Sequence, residues 1–230
     1  MKNLIILHGA LGAQSQFEQL VAQLSDYFHV STLDFDGHGT NSGTEMDFSI
    51  EHFAQNLKDF MDRNGIQKPL IFGYSMGGYV ALKLESQYPG SFEKLITLGT
   101  KFDWTPESAE KEVKMLNAEK IEEKVPAFAT YLKSLHGEKE WKTVLQRTAK
   151  MMVELGNRPV LKPYDFHHIQ IPVQLLRGEK DVMVSKEETT NVQEFLANSV
   201  HREIPEWQHP INLVSPKELV KELLSSYLPG

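Results

Sequence analysis

The stretch Leu70-Ile71-Phe72-Gly73-Tyr74-Ser75-Met76-Gly77-Gly78 decides the fold. It passes from an apolar, β-rich run into Gly-x-Ser-x-Gly and on to Val80, Ala81 and Leu84, which recur at helical spacing. A serine on a sharp strand-to-helix turn needs small neighbours two residues to either side. Strand and helix can then approach closely, and the hydroxyl stands clear at the C-terminal edge of a sheet. The same turn aims the free N–H groups of the new helix, that of Met76 included, at the space where an oxyanion would form. The bare pentapeptide can also mark an ordinary helix start; the strand before it and the helix after it are the context a nucleophile requires.

Outward from this turn, short apolar runs alternate with stretches of helical period, the pattern of an α/β fold with a mostly parallel central sheet and helices on both faces. The strand candidates are Leu4 to Leu7, Phe28 to Leu33, Leu70 to Phe72, Leu95 to Leu98, Val173 to Leu176 and Val200 to Ile204. Phe53, Leu57, Phe60 and Met61 follow a capping Asp47 at helical spacing. The last helix has Ser215 as cap, Pro216 at its first position, Glu218 closing a capping box, and Leu219, Val220, Leu223 and Leu224 as its buried stripe. Between residues 102 and 167 the alternation breaks. Three helices are expected there, near Pro106 to Glu123, Pro126 to Leu135 and Glu138 to Leu155, forming a helical cap inserted into a core of residues 1–101 and 168–230. This stretch carries eleven Lys or Arg against eleven Asp or Glu, so the net charge of −7 belongs to the core.

A serine hydroxyl is a weak nucleophile and needs a base within hydrogen-bond reach, itself oriented by an acidic partner. His209, in Trp207-Gln208-His209-Pro210, lies in the loop after the last strand and just before the capped final helix. Val173-Gln174-Leu175-Leu176-Arg177-Gly178-Glu179-Lys180-Asp181 is a strand and turn ending in a carboxylate. Asp181 has a rival in Glu179, and its placement after the strand favours it. His8-Gly9-Ala10-Leu11-Gly12 follows the first strand; its backbone supplies a second N–H donor to the oxyanion, that of Ala10 or else of Leu11, while His8 reads as structural.

These pieces, together with Asp34-Phe35-Asp36-Gly37-His38-Gly39 after the second strand, resemble the α/β-hydrolase fold family over nearly the whole chain outside the insertion. The order Ser75, Asp181, His209 is the one that family uses. The resemblance implies the fold, the Ser-His-Asp triad, the Ala10 and Met76 oxyanion donors, and a helical cap. Two departures stand out. Thr40-Asn41-Ser42 follows Gly39 where the family places a serine two residues after the glycine, and Gln208 replaces a glycine that often precedes the histidine. Family members include small esterases, lipase-like enzymes, carbon–carbon hydrolases, thioesterases, aminopeptidases and a lyase of the menaquinone pathway. Some act as ligand receptors or signalling proteins that retain the triad.

The bulk composition narrows the partners. Net negative charge without a basic block argues against nucleic acid or an anionic membrane surface. No apolar run approaches the roughly 18 to 20 residues of a membrane span, so a cytoplasmic protein, monomer or dimer, is the default expectation. Cysteine is absent, His167-His168 lacks ligand spacing, and there is neither a P-loop nor a dinucleotide fingerprint, so neither metal nor cofactor is expected. Leu11 and Tyr74 beside the turn, and Trp104, Phe128, Tyr131 and Trp141 in the insertion, are the candidate substrate contacts, with Phe102, Met151 and Met152 of the insertion as further apolar surface to line a pocket over Ser75. Their apolar character suits a small to medium carboxylic ester, a carboxylesterase-like activity. The balanced charge of the insertion shows no cationic clamp.

Overall fold

The computed structural model describes residues 1–228; the last two residues of the expected 168–230 core segment lie outside the described residues. Strands β1 (Asn3–Leu7), β2 (His29–Leu33), β3 (Leu70–Tyr74), β4 (Lys94–Leu98), β5 (Val173–Gly178) and β6 (Ser199–Ile204) form one sheet in the order β2-β1-β3-β4-β5-β6. Every neighbouring pair is parallel. All six coincide with strands expected from the sequence, shifted by at most two residues at an end.

Parallel strands are covered on both faces and so read as continuous apolar runs. In β1, Leu4 and Ile6 face a cluster that includes Leu20 and Leu24 of α1 (Glu18–Leu24) and Leu219 and Leu223 of α10 (Pro216–Tyr227). Ile5 and Leu7 face the opposite cluster, with Phe53 and Leu57 of α2 (Ile50–Arg63) and Val80 and Leu84 of α3 (Met76–Gln87). Helix α9 (Lys186–Phe195) joins that second layer through Val192. Its start is a capping box of Ser185 and Glu188.

Two helix ends differ from expectation. Ser49, not Asp47, caps α2, its hydroxyl accepting from the His52 amide at 3.1 Å, while Asp47 pairs with Lys150. At α10, Ser215 accepts from the Glu218 amide as expected, but the Glu218 carboxylate accepts from the Trp207 indole instead of closing the box.

Residues 102–167 lie between β4 and β5 and are helical: α4 (Pro106–Val113), α5 (Ala118–Lys124), α6 (Pro126–His136), α7 (Trp141–Asn157) and the short α8 (Pro163–Phe166). The first expected helix is two, because Asn117 turns its side chain onto the Lys120 amide at 2.8 Å and starts α5 afresh. Helix α7 serves two cores. Val144, Met151 and Leu155 join the layer over α2 and α3, whereas Trp141, only 1% exposed, packs with Ile121, Ala129, Leu132 and Leu145 inside the insertion.

Three buried histidines tie the insertion to the sheet. The Gly39 amide donates to Nδ1 of His136, at the end of α6, at 3.0 Å; Nε2–H of His136 then donates to the Leu11 carbonyl at 2.9 Å. His8 receives the Phe35 amide on Nε2 at 3.1 Å and donates from Nδ1 to the Gly9 carbonyl. His38 stacks on Phe48 beside both. Each ring therefore sits in a place built for the neutral form. Burial lowers the pKa of all three, that of His8 from 6.5 to about 4.

Two outcomes follow. Between pH 6.5 and pH 4 the unfolded chain protonates these histidines while the folded chain resists, so stability falls as pH falls through that window. Thermal scans across it should show a declining midpoint, and His136→Gln, which keeps a donor and an acceptor without titrating, should flatten the decline. Trp141→Ala should cost about 3–5 kcal/mol, lowering the midpoint by roughly 6–20 °C at about 2–4 °C per kcal/mol.

Candidate active site

Ser75 is the residue at which β3 becomes α3, and its backbone takes φ 49° and ψ −117°. A residue with a Cβ in that region stores about 1–3 kcal/mol of strain. Close packing around it leaves no room for relaxation: a Cβ on Gly73 would lie 2.6 Å from Gly78, and one on Gly77 would lie 2.7 Å from the carbonyl oxygens of Leu7 and His8. Gly78 is equally constrained, meeting Thr97 and Thr100. The Ser75 amide continues the sheet ladder to the Leu98 carbonyl, and the Thr100 hydroxyl donates to the Ser75 carbonyl.

His209 arrives from the loop after β6 and Asp181 from the loop after β5. The His209 Nε2 lies 3.2 Å from the Ser75 hydroxyl, and its Nδ1 lies 2.8 Å from Oδ2 of Asp181. With Nδ1–H donated to the carboxylate, Nε2 is left as an acceptor facing the serine. Oδ1 of Asp181 accepts the amides of Met183 and Val184 at 2.8 and 2.9 Å. Burial pushes this carboxyl up, but the hydrogen bonds from His209 and the two amides outweigh it and hold the pKa below the usual value. Glu179 is exposed and accepts from the Glu206 amide, away from His209. Buried Arg177 braces the loop, donating to the carbonyls of Asp181 and Val184 and to the Glu203 carboxylate. Gly99, at φ 61°, lets the chain pass beside the pair: a Cβ there would stand 3.2 Å from both Asp181 and His209.

The serine opens into a cavity of about 50 Å³. Ala10 and Met76 line it beside Ser75 and His209, and neither backbone amide is taken by another group among the described residues. Leu11 is not in the lining; its φ of 58° turns its carbonyl to His136. Of the six candidate substrate contacts, Trp104 alone lines the cavity. The hydroxyl of buried Tyr74 donates to the His209 carbonyl at 2.9 Å. Tyr131 accepts from Gln16, Phe128 is partly solvated beside it, and Trp141 is enclosed within the insertion. Of the four insertion aromatics, Trp141 alone joins the insertion's own core cluster.

Met151 and Met152 of the insertion line the cavity, and Phe102 does not. Ile50 at the start of α2, Tyr79 of α3, Met151 and Met152 of α7, and Met183 beside Asp181 supply apolar surface. Lys101 and Glu112 add a polar pair. Lys101 had a legible signal: it follows β4 at the C-terminal edge of the sheet, the edge that carries Ser75, Asp181 and His209. Arg177 and Glu112 carry no local signal.

Among the described residues no group of three or more His, Cys, Asp or Glu side chains is placed to hold a metal ion, and no helix is long and apolar enough to cross a membrane.

A family model described as the alpha/beta hydrolase fold matches residues 2–151. An uncharacterized protein of Mycobacterium tuberculosis is 28% identical over 93 residues, 40% of this chain; the match spans only 27% of that protein, about a quarter of its length. The 2-(acetamidomethylene)succinate hydrolase of Mesorhizobium japonicum is 20% identical over a match covering 96% of this chain and 86% of that protein. Among solved structures, a thermophilic esterase from Thermogutta terrifontis superposes with a TM-score of 0.77 at 20% identity, covering 99% of this chain and 89% of that one. With the matched model spanning more than half of its residues, and with a parallel sheet of the same fold, this chain belongs to the alpha/beta hydrolase fold family.

Proposed function

We propose that this protein is a serine hydrolase that cleaves a small carboxylic ester through an acyl-enzyme, with Ser75 as nucleophile, His209 as base and Asp181 as the group that orients the histidine. The hydrogen-bonded row from Asp181 through His209 to Ser75, at 2.8 and 3.2 Å, carries the proposal.

In this mechanism Nε2 of His209 takes the Ser75 proton as Oγ attacks the acyl carbon, and Asp181 stabilises the imidazolium that forms. The amides of Ala10 and Met76 receive the oxyanion, a donor pair in which each member is worth roughly 3–4 kcal/mol of barrier. His209 then returns the proton to the leaving alcohol, and water, activated by the same histidine, releases the acid. The apolar wall of methionines, Ile50 and Tyr79 suits the acyl part, and the small cavity favours a short one. Helix α7 contributes Met151, Met152 and Leu155 to that wall and α4 adds Glu112 to the lining, which supports their reading as a cap over the nucleophile. The alternative, a ligand receptor retaining the triad, is told apart by turnover.

Fluorophosphonate should label the wild type on Ser75 and leave Ser75→Ala unlabelled, read by intact mass. Absence of label on the folded wild type favours the receptor. Steady-state kinetics on an acyl ester series should show Ser75→Ala reducing kcat by about 10⁶-fold and Asp181→Asn by about 10⁴-fold. Glu179→Gln should stay within about twofold of wild type. The reverse order for the two carboxylates would reassign the orienting group.

A further inference from the structure

We propose that the cavity holds a polar recognition point, formed by Lys101, Glu112 and Trp104, that selects acyl groups bearing a neutral hydroxyl. This rests on the hydrolase reading above and names the substrate class of the same site.

Lys101 and Glu112 line the cavity with side chains only 16% and 6% exposed, yet the Lys101 Nζ stands 3.5 Å from the Glu112 Oε1. That separation is beyond the usual N–H···O range, and neither side chain makes another hydrogen bond among the described residues. Trp104 lines the same cavity with its ring 5.7 Å from the Lys101 Nζ, and its buried Nε1–H is without a partner among the described residues. Buried polar groups are as a rule hydrogen-bonded. A buried indole donor without a partner and a loosely paired lysine and carboxylate around one cavity therefore call for a ligand group that both accepts and donates.

Charge decides which group. The Lys101–Glu112 pair already sums to zero, so a carboxylate on the substrate would face Glu112 and an ammonium would face Lys101, each as an uncompensated third charge in a poorly solvated space. A hydroxyl meets the requirement without adding charge: it accepts from Lys101 or Trp104 and donates to Glu112. An unsubstituted alkyl chain would leave the Trp104 indole unmatched and the Lys101–Glu112 pair loose, the situation in which a site built for a hydroxyl discriminates against its deoxy analogue.

The test compares kcat/KM for 4-nitrophenyl butanoate, its 2-hydroxy and 3-hydroxy analogues, and the 4-nitrophenyl hemisuccinate. At least one hydroxy ester should exceed butanoate by about tenfold or more, with hemisuccinate below both. In Lys101→Met combined with Glu112→Leu the hydroxy-to-butanoate ratio should fall to about one. Trp104→Phe, a conservative change that keeps the ring, should lower the ratio on its own, so the outcome does not depend on the double variant folding. Ester turnover with butanoate equal or preferred, hemisuccinate best, or an unchanged ratio in Trp104→Phe and in the folded double variant overturns the polar recognition point alone. No turnover of any ester, with no fluorophosphonate label on wild type, overturns the hydrolase reading and this one with it.

Discussion

The backbone of Ser75 is the constraint on which the rest of the structure depends. A residue with a side chain is held at positive φ between a strand and a helix, and the strain is stable only because neighbours on every side are in contact. Gly73 against Gly78, and Gly77 against the carbonyls of Leu7 and His8, fix how closely α3 approaches β3 and β1. Those contacts set the direction of the serine hydroxyl, the aim of the Met76 amide and the distance to the loop after β1. A methyl group at any of the three glycines would displace all of these together.

A parallel sheet then brings distant parts of the chain to the same place. Every strand ends at one edge, so the loops after β1, β3, β5 and β6 meet although His209 is 134 residues from Ser75 and 28 from Asp181. The region matched by the family model stops at residue 151 and holds the serine and both candidate oxyanion donors; the carboxylate and the imidazole come from the remainder. Tyr74 links the two halves of the site through the His209 carbonyl, while Arg177 grips the Asp181 loop within the second half.

What is legible in the sequence follows from this architecture. Doubly covered strands must be apolar throughout, so Leu4-Ile5-Ile6-Leu7 and Val173 to Leu176 declare themselves, and the glycines around Ser75 mark the turn. Ser75, His209 and Asp181 could be nominated because each lies just beyond a strand end. The cavity lining could be read only in part: Ala10, Met76, Trp104, Met151 and Met152 could be nominated, but Ile50, Tyr79 and Met183 could not. Trp141 and Trp104 are both aromatic residues of the same insertion, and only tertiary packing, invisible to spacing, sends one into the insertion's core and the other to the cavity wall. The split of the first inserted helix turns on a single side-chain bond from Asn117, and the long Lys101–Glu112 pair cancels in any tally of charge.

The histidine lock between α6 and the loop after β1 has a consequence for the order of assembly. Leu11 and Gly39 are anchored by a ring that lies about a hundred residues further along the chain, |i−j| of 125 and 97. The loop carrying Ala10 therefore reaches its final shape only after the inserted helices dock, and His209 is supplied later still. An emerging chain that has completed β1 to β4 carries Ser75 without its hydrogen-bonded row to His209 and Asp181. The hydrogen-bonded row from Asp181 through His209 to Ser75 is therefore complete only in a chain whose synthesis has passed both segments, so the site and the fold are finished together.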